Sequence, residues 1–262
     1  MQNSDIQSFE DLPPFEETTN PFNLLRQACA LLQKEFTNAE VYLAVINDLR
    51  RMRKYHYDVF VSMVTSVLKT VCITIQKCPN EKQVIASLVF VKELTSQYST
   101  DAIGNCMEYL LPVILKASLT TSNEDIQEEA YNSLNSIANN MFYISTYETL
   151  CLIVSNSTES DQLSTNAFQT LLSLIFNWEV STLLDHINLQ PLLFMSYIYE
   201  IYFRNNNRGL KILKILFDKI GKENFEKLKE MNKEINETLN LIMGVESSFK
   251  KGNLENSKGI NA

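Results

Sequence analysis

Two stretches of the chain, NEKQVIASLVFVKELTSQY beginning at Asn80 and SNEDIQEEAYNSLNSIANN beginning at Ser122, carry one pattern twice. Val84 superposes on Ile126, Leu88 on Ala130 and Val91 on Ser133 or Leu134, each copy preceded by a polar turn, at an offset of 42 residues. A third helical pattern, CMEYLLPVILKASL, lies between them. A period of roughly 40 to 47 residues with two or three helices per unit is one in which no unit can bury its apolar face alone; it must stack on its neighbours. The expectation is an all-α chain, an α-solenoid of about five to six helical repeats.

The rest of the chain fits that frame. Residues 1–19 are acidic and contain Pro13-Pro14, a composition that reads as a disordered tail whose Phe9, Leu12 and Phe15 are suited to docking. Asn20-Pro21 supplies an N-cap followed by proline at the first helical position, and Phe22, Leu25, Cys29 and Leu32 mark one helical face. Asn38 caps a second helix with Val41, Val45, Leu49 and Met52, which ends in the cations Arg50, Arg51, Arg53 and Lys54. Tyr57 to Lys77 has apolar residues at helical spacing and stops before Pro79. Beyond the repeated pair, Leu163, Ala167, Leu171 and Leu174 continue the array, a polar turn from Arg204 to Arg208 follows, and Gly221 is placed as a helix C-cap. Residues 20–245 are thus read as one repeat domain of eleven or twelve helices, and 246–262 as a second disordered tail.

Composition narrows the function classes. Hydrophobic residues make up 45% of the chain, enough for a core, and the net charge of −8 is concentrated: five acids and no Lys or Arg fall in residues 1–20, leaving −3 elsewhere. A nearly balanced repeat domain is not expected to bind nucleic acid. Five scattered cysteines set among apolar residues read as reduced core thiols of a cytoplasmic protein. Uncharged runs such as 187–199 fall short of the roughly 18 residues that suggest a membrane span, so no membrane insertion is expected.

Chemistry is thinly represented. His56 and His186 are the only histidines, Cys72 and Cys78 lack a histidine partner at metal-ligand spacing, and the six glycines form no phosphate-binding loop. No catalytic, cofactor-binding or metal-binding residue is assigned, and the chain is read as a non-catalytic protein-binding module. The cations from Arg50 to Lys54 read as a solvated helix end that complements the helix dipole. The aromatic run Phe194, Tyr197, Tyr199, Tyr202 and Phe203 reads as core packing. Trp178, between helices, is the candidate for an exposed interface anchor.

The polar turn, the signature Val84 or Ile126 with a small or apolar residue four positions on, and the preceding LLPVILKAS resemble HEAT and armadillo-like repeats, and most of all the tubulin-binding TOG domains of the CLASP type, over residues 22–245. That resemblance implies binding of tubulin or microtubules, with a cytoskeletal association, through the turns inside the repeats. Carried over, the partner-binding positions are Asn38 and Ala39 in the first turn, Lys82 in the second, and Arg204 and Arg208 in the fifth. Most family contact residues are not retained: the first turn lacks the family's tryptophan, and the third and fourth turns carry Glu124, Asp125, Glu159 and Asp161 in place of basic residues. The alternative is a generic repeat scaffold that binds another protein through its concave face.

Overall fold

A shared way of starting helices sets the frame. The computed structural model describes residues 7–16, 20–32, 38–97, 101–120, 123–141, 143–156, 161–231, 233, 235–237 and 239–240. Among them the chain forms α1 (Pro21–Leu32), α2 (Ala39–Tyr55), α3 (Tyr57–Lys77), α4 (Glu81–Gln97), a single turn α5 (Asp101–Gly104), α6 (Met107–Thr120), α7 (Glu124–Asn140), α8 (Ile144–Asn156), α9 (Gln162–Asn177), α10 (Val180–Leu189), α11 (Pro191–Arg204) and α12 (Asn206–Met231). The fold is all-α, with no strand among the described residues. Asn38 accepts a hydrogen bond from the Glu40 amide at 2.8 Å, Asn80 from Gln83 at 3.3 Å, Asn123 from Asp125 at 2.9 Å, Asp161 from Leu163 at 3.0 Å and Asn205 from Arg208 at 3.1 Å. These side chains satisfy first-turn amides that have no partner inside the helix, each worth about 1 kcal/mol against alanine. They stand before α2, α4, α7, α9 and α12 at intervals of 38 to 44 residues.

The chain divides into two compact units, Met1–Thr149 and Leu150–Ala262. In the first, each helix packs on its partner in a pair (α1 on α2, α3 on α4, α6 on α7) and like packs on like: α1 on α3 on α6, and α2 on α4 on α7. The aligned positions Val84, Leu88, Val91, Ile126, Ala130 and Leu134 are all buried, and small residues on α7 let its backbone come close to α4. Ser133 Oγ reaches the Leu88 carbonyl at 3.1 Å and Ser136 Oγ the Lys92 carbonyl at 3.2 Å. Thr95 donates to Ser136 at 2.9 Å, and Lys92 pairs with Glu129 at 2.7 Å. Between α2 and α4 the buried Tyr42 hydroxyl lies 2.6 Å from Ser87 Oγ; Ser87 gives its own hydrogen to the Gln83 carbonyl, so Tyr42 is the donor.

In the second unit α12 packs on α9 and α11, with α10 against both α11 and α12. Gly209 is required there by proximity, because a Cβ at this position would run into the Tyr202 backbone. Gly221 is required by conformation. Its φ of 77° and ψ of 163° interrupt α12, and Phe217 and Phe225 meet edge to face across the break with centroids 5.2 Å apart. Gly221 therefore ends one helical stretch and starts the next, where a C-cap was expected.

Two expectations change. Trp178 is fully buried, with its ring 5.1 Å from that of His186, because it closes the C-terminus of α9 and turns inward. It is no exposed anchor. Residues 7–16 lie along α2 with Leu12 only 2% exposed, where a disordered tail was expected; residues 1–6, 17–19 and 246–262 fall outside the described residues. Separately, α3 is long enough to cross a membrane and holds an 18-residue window of mean hydropathy 1.7, although the helix carries Asp58, Lys69 and Lys77. Here half of that window is buried, and the helix packs against α1, α2, α4, α5 and α6.

Replacing Ala130 by Asp places a carboxylate at a fully buried contact of α7. The expected loss is about 3 kcal/mol or more, read from chemical denaturation followed by circular dichroism. A wild-type midpoint would mean that α4 and α7 do not meet at this face.

Candidate functional site

The starts of α2 and α4 bring three of the sequence-derived positions together. Asn38, Ala39 and Lys82 line one open cleft of about 710 Å³, completed by Glu40, Leu43, Ala44 and Asn47. Their placement follows from the caps: Asn38 is fixed by its bond to the Glu40 amide, and Lys82 stands exposed in the first turn of α4, two residues after its own cap Asn80. Around them the charge is mainly negative, with Glu40, Glu81, Glu124 and Asp125 in the first turns of α2, α4 and α7. Acids at helix N-termini are stabilised by the dipole, which explains their presence without a ligand. The cleft offers an ammonium, carboxylates and amides around a small apolar floor. That set can bind a polypeptide surface; it contains no nucleophile paired with a base.

The second unit holds Arg204 and Arg208. Arg204 is exposed in the last turn of α11. Arg208 is half-buried and turned toward α9, where it donates to Ser164 Oγ at 2.5 Å and Thr165 Oγ1 at 3.2 Å and lies over the Phe168 ring at 5.2 Å. Its guanidinium joins α12 to α9. Glu159 lies outside the described residues.

The cations at the end of α2 are not a solvated helix end. Arg50 is 1% exposed, and its guanidinium makes a bidentate pair with Glu93 of α4, Nε to Oε2 at 2.7 Å and Nη2 to Oε1 at 2.6 Å. Asn47 accepts from Nη1 at 2.8 Å. Arg53 is also buried. A signal for this was present: Arg50 and Arg53 fall four residues after Ile46 and Leu49, on the inward stripe of α2, and a buried arginine requires an acid on a facing helix.

No protein-family model matches the chain, and no curated protein matches it.

The thiols are arranged for packing. Cys29, Cys72, Cys106 and Cys151 are buried and Cys78 is half-exposed, and none of the five is in a disulfide. Burial, aided by the neighbouring Cys106, pushes the Cys72 thiol up to about 12 from 9.0. The unfolded thiol therefore loses its proton first. The stability tied to Cys72 is complete below pH 9 and falls as pH rises from 9 toward 12. Cys72→Ser is expected to flatten that alkaline decline in denaturation midpoints measured at intervals from pH 8 to 11.

Truncating Glu93 to Ala leaves the Arg50 charge buried without its carboxylate. The expected cost is about 3–5 kcal/mol, measured by denaturant unfolding, whereas Lys227→Ala, which removes an exposed pair with Glu223 on α12, should change the midpoint little.

Proposed function

We propose that the chain is a non-catalytic protein–protein interaction module, an α-solenoid of HEAT/armadillo-like helical pairs that engages a protein partner along the edge where its second helices begin. The register of hydrogen bonds supports the repeat reading. Tyr42 to Ser87, Arg50 to Glu93, Ser133 to Leu88, Ser136 to Lys92 and Arg208 to Thr165 each join residues 43 to 45 apart, the spacing of one unit. The observation that carries the functional reading is the cleft shared by Asn38, Ala39 and Lys82, positions arrived at from the TOG resemblance and separated by more than forty residues of sequence.

Tubulin or the microtubule lattice is the partner that this resemblance points to, with a cytoplasmic, cytoskeleton-associated location. The acids at the first turns of α2, α4 and α7 are unfavourable to an acidic partner, so Lys82 and Arg204 carry the cationic contribution. Arg208 serves the packing of α9 on α12 and is left out of the interface.

Co-sedimentation with microtubules and size exclusion with free tubulin, at low and moderate salt, test the reading. Wild-type chain should bind at low salt and weaken as salt rises, and Lys82→Glu/Arg204→Glu should bind roughly tenfold more weakly. Equal affinities would exclude this edge. Absence of wild-type binding at low salt would retire the tubulin partner in favour of a scaffold using its concave face.

A further inference from the structure

Residues 7–16 are held the way a receptor holds a peptide. Asp11 and Leu12 bond back to the Ser8 and Phe9 carbonyls in a turn, after which Pro13 and Pro14 keep the segment extended. Arg50 Nη2 donates to the Gln7 carbonyl at 2.7 Å. Arg51 Nε and Nη2 reach the carbonyls of Pro13 and Pro14 at 2.9 and 2.8 Å. Lys54 Nζ contacts the carbonyls of Phe9, Glu10 and Leu12, the shortest at 2.6 Å to Glu10, and the Tyr55 hydroxyl donates to Leu12 at 2.6 Å. The side chains supply the selectivity. Leu12 is buried, Phe15 stacks on His56 and under Arg51, whose Cζ is 3.8 Å from the ring centroid, and Phe9 lies 4.9 Å from Arg53 Cζ.

Two features separate this from ordinary packing of a chain end. Every one of those hydrogen bonds ends on a main-chain carbonyl, so none depends on which chain provides it. The cations are also oriented by the helices around them: Arg50 by Glu93 of α4 and Asn47 of α2, and Arg51 by Asp48 at 3.0 Å, which leaves the remaining guanidinium N–H groups aimed at the ligand. The occupant carries Glu10, Asp11 and Glu16 beside this cationic wall.

We propose that the corner between the end of α2 and the start of α3 is a peptide-binding site that residues 7–16 fill in cis, and that its partner is an extended acidic segment of another protein with the pattern Phe-x-x-Leu-Pro-Pro-Phe. The chain's own arm joins α1 within a few residues, so its effective concentration is on the order of millimolar and the site is closed until a competing segment displaces it. The site is distant in sequence from the Lys82 and Arg204 positions, and it stands or falls independently of tubulin binding.

The test uses a fluorescein-labelled peptide of residues 7–16 titrated with full-length chains. Leu12→Asp, which expels the arm, should bind the peptide at least about tenfold more tightly than wild type, and adding Arg51→Glu/Lys54→Glu should abolish that gain. If Leu12→Asp does not give a folded circular dichroism spectrum, Phe9→Ala/Phe15→Ala, which changes only half-exposed rings, replaces it in the same comparison. Equal affinity of wild type and the folded arm-released variant would overturn the proposal. So would a wild-type mass, by light scattering, that falls from dimer to monomer on adding peptide, because the occupant would then be the arm of a second copy.

Discussion

The chain depends on how closely α7 can approach α4. Ser133 and Ser136 are small enough to bring the two backbones together, and their hydroxyls then reach carbonyls of the facing helix that already serve that helix's own ladder. A sideways shift of one residue would leave the Ser136 hydroxyl and the Glu129 carboxylate buried without their partners on α4, whereas Ser133 and Thr95 keep carbonyls of their own helices within reach. Unsatisfied polar groups in such a place cost about 1–3 kcal/mol each, so one register is selected against its neighbours. Apolar contact alone would select it weakly, since Val, Leu and Ile tolerate sliding.

The same device differs between the other layers. From α2 to α4 it is a tyrosine–serine bond and a buried arginine–glutamate pair; from α9 to α12 it is an arginine that reaches two hydroxyls and lies over a phenylalanine. What stays constant is the separation along the chain, together with the Asn or Asp that opens each of these helices. The local signal and the tertiary one agree, which is the condition under which a sequence specifies one arrangement.

That agreement explains what was legible beforehand. Helical periodicity and the polar turns located nearly every helix, and the alignment of Val84 with Ile126 named two elements that do pack together. Asn38, Ala39 and Lys82 came to one cleft for the same reason, each sitting at or just after a cap. The misreadings share a cause as well. Trp178, Arg50 and Arg53 all sit toward element ends, where position or residue type suggests solvent and only the neighbouring layer decides burial. Arg208 was placed at the correct turn, but its direction is set by Ser164 and Thr165 on another helix, which periodicity along one segment does not encode.

One element is covered on both sides within its unit. α4 has α2 against one flank and α7 against another, with polar ties to each and α3 packed on it as its pair. Exposing its amides to solvent therefore means releasing several neighbours at once, whereas the capped first turns at the cleft can fray singly. Exchange of backbone hydrogens in α4 is accordingly tied to opening of the whole unit, and the cleft-forming edge is drawn from the part of the molecule that opens locally. Two parts of the same helix differ in kind: its middle holds the layers in register, and its first turn lines the cleft.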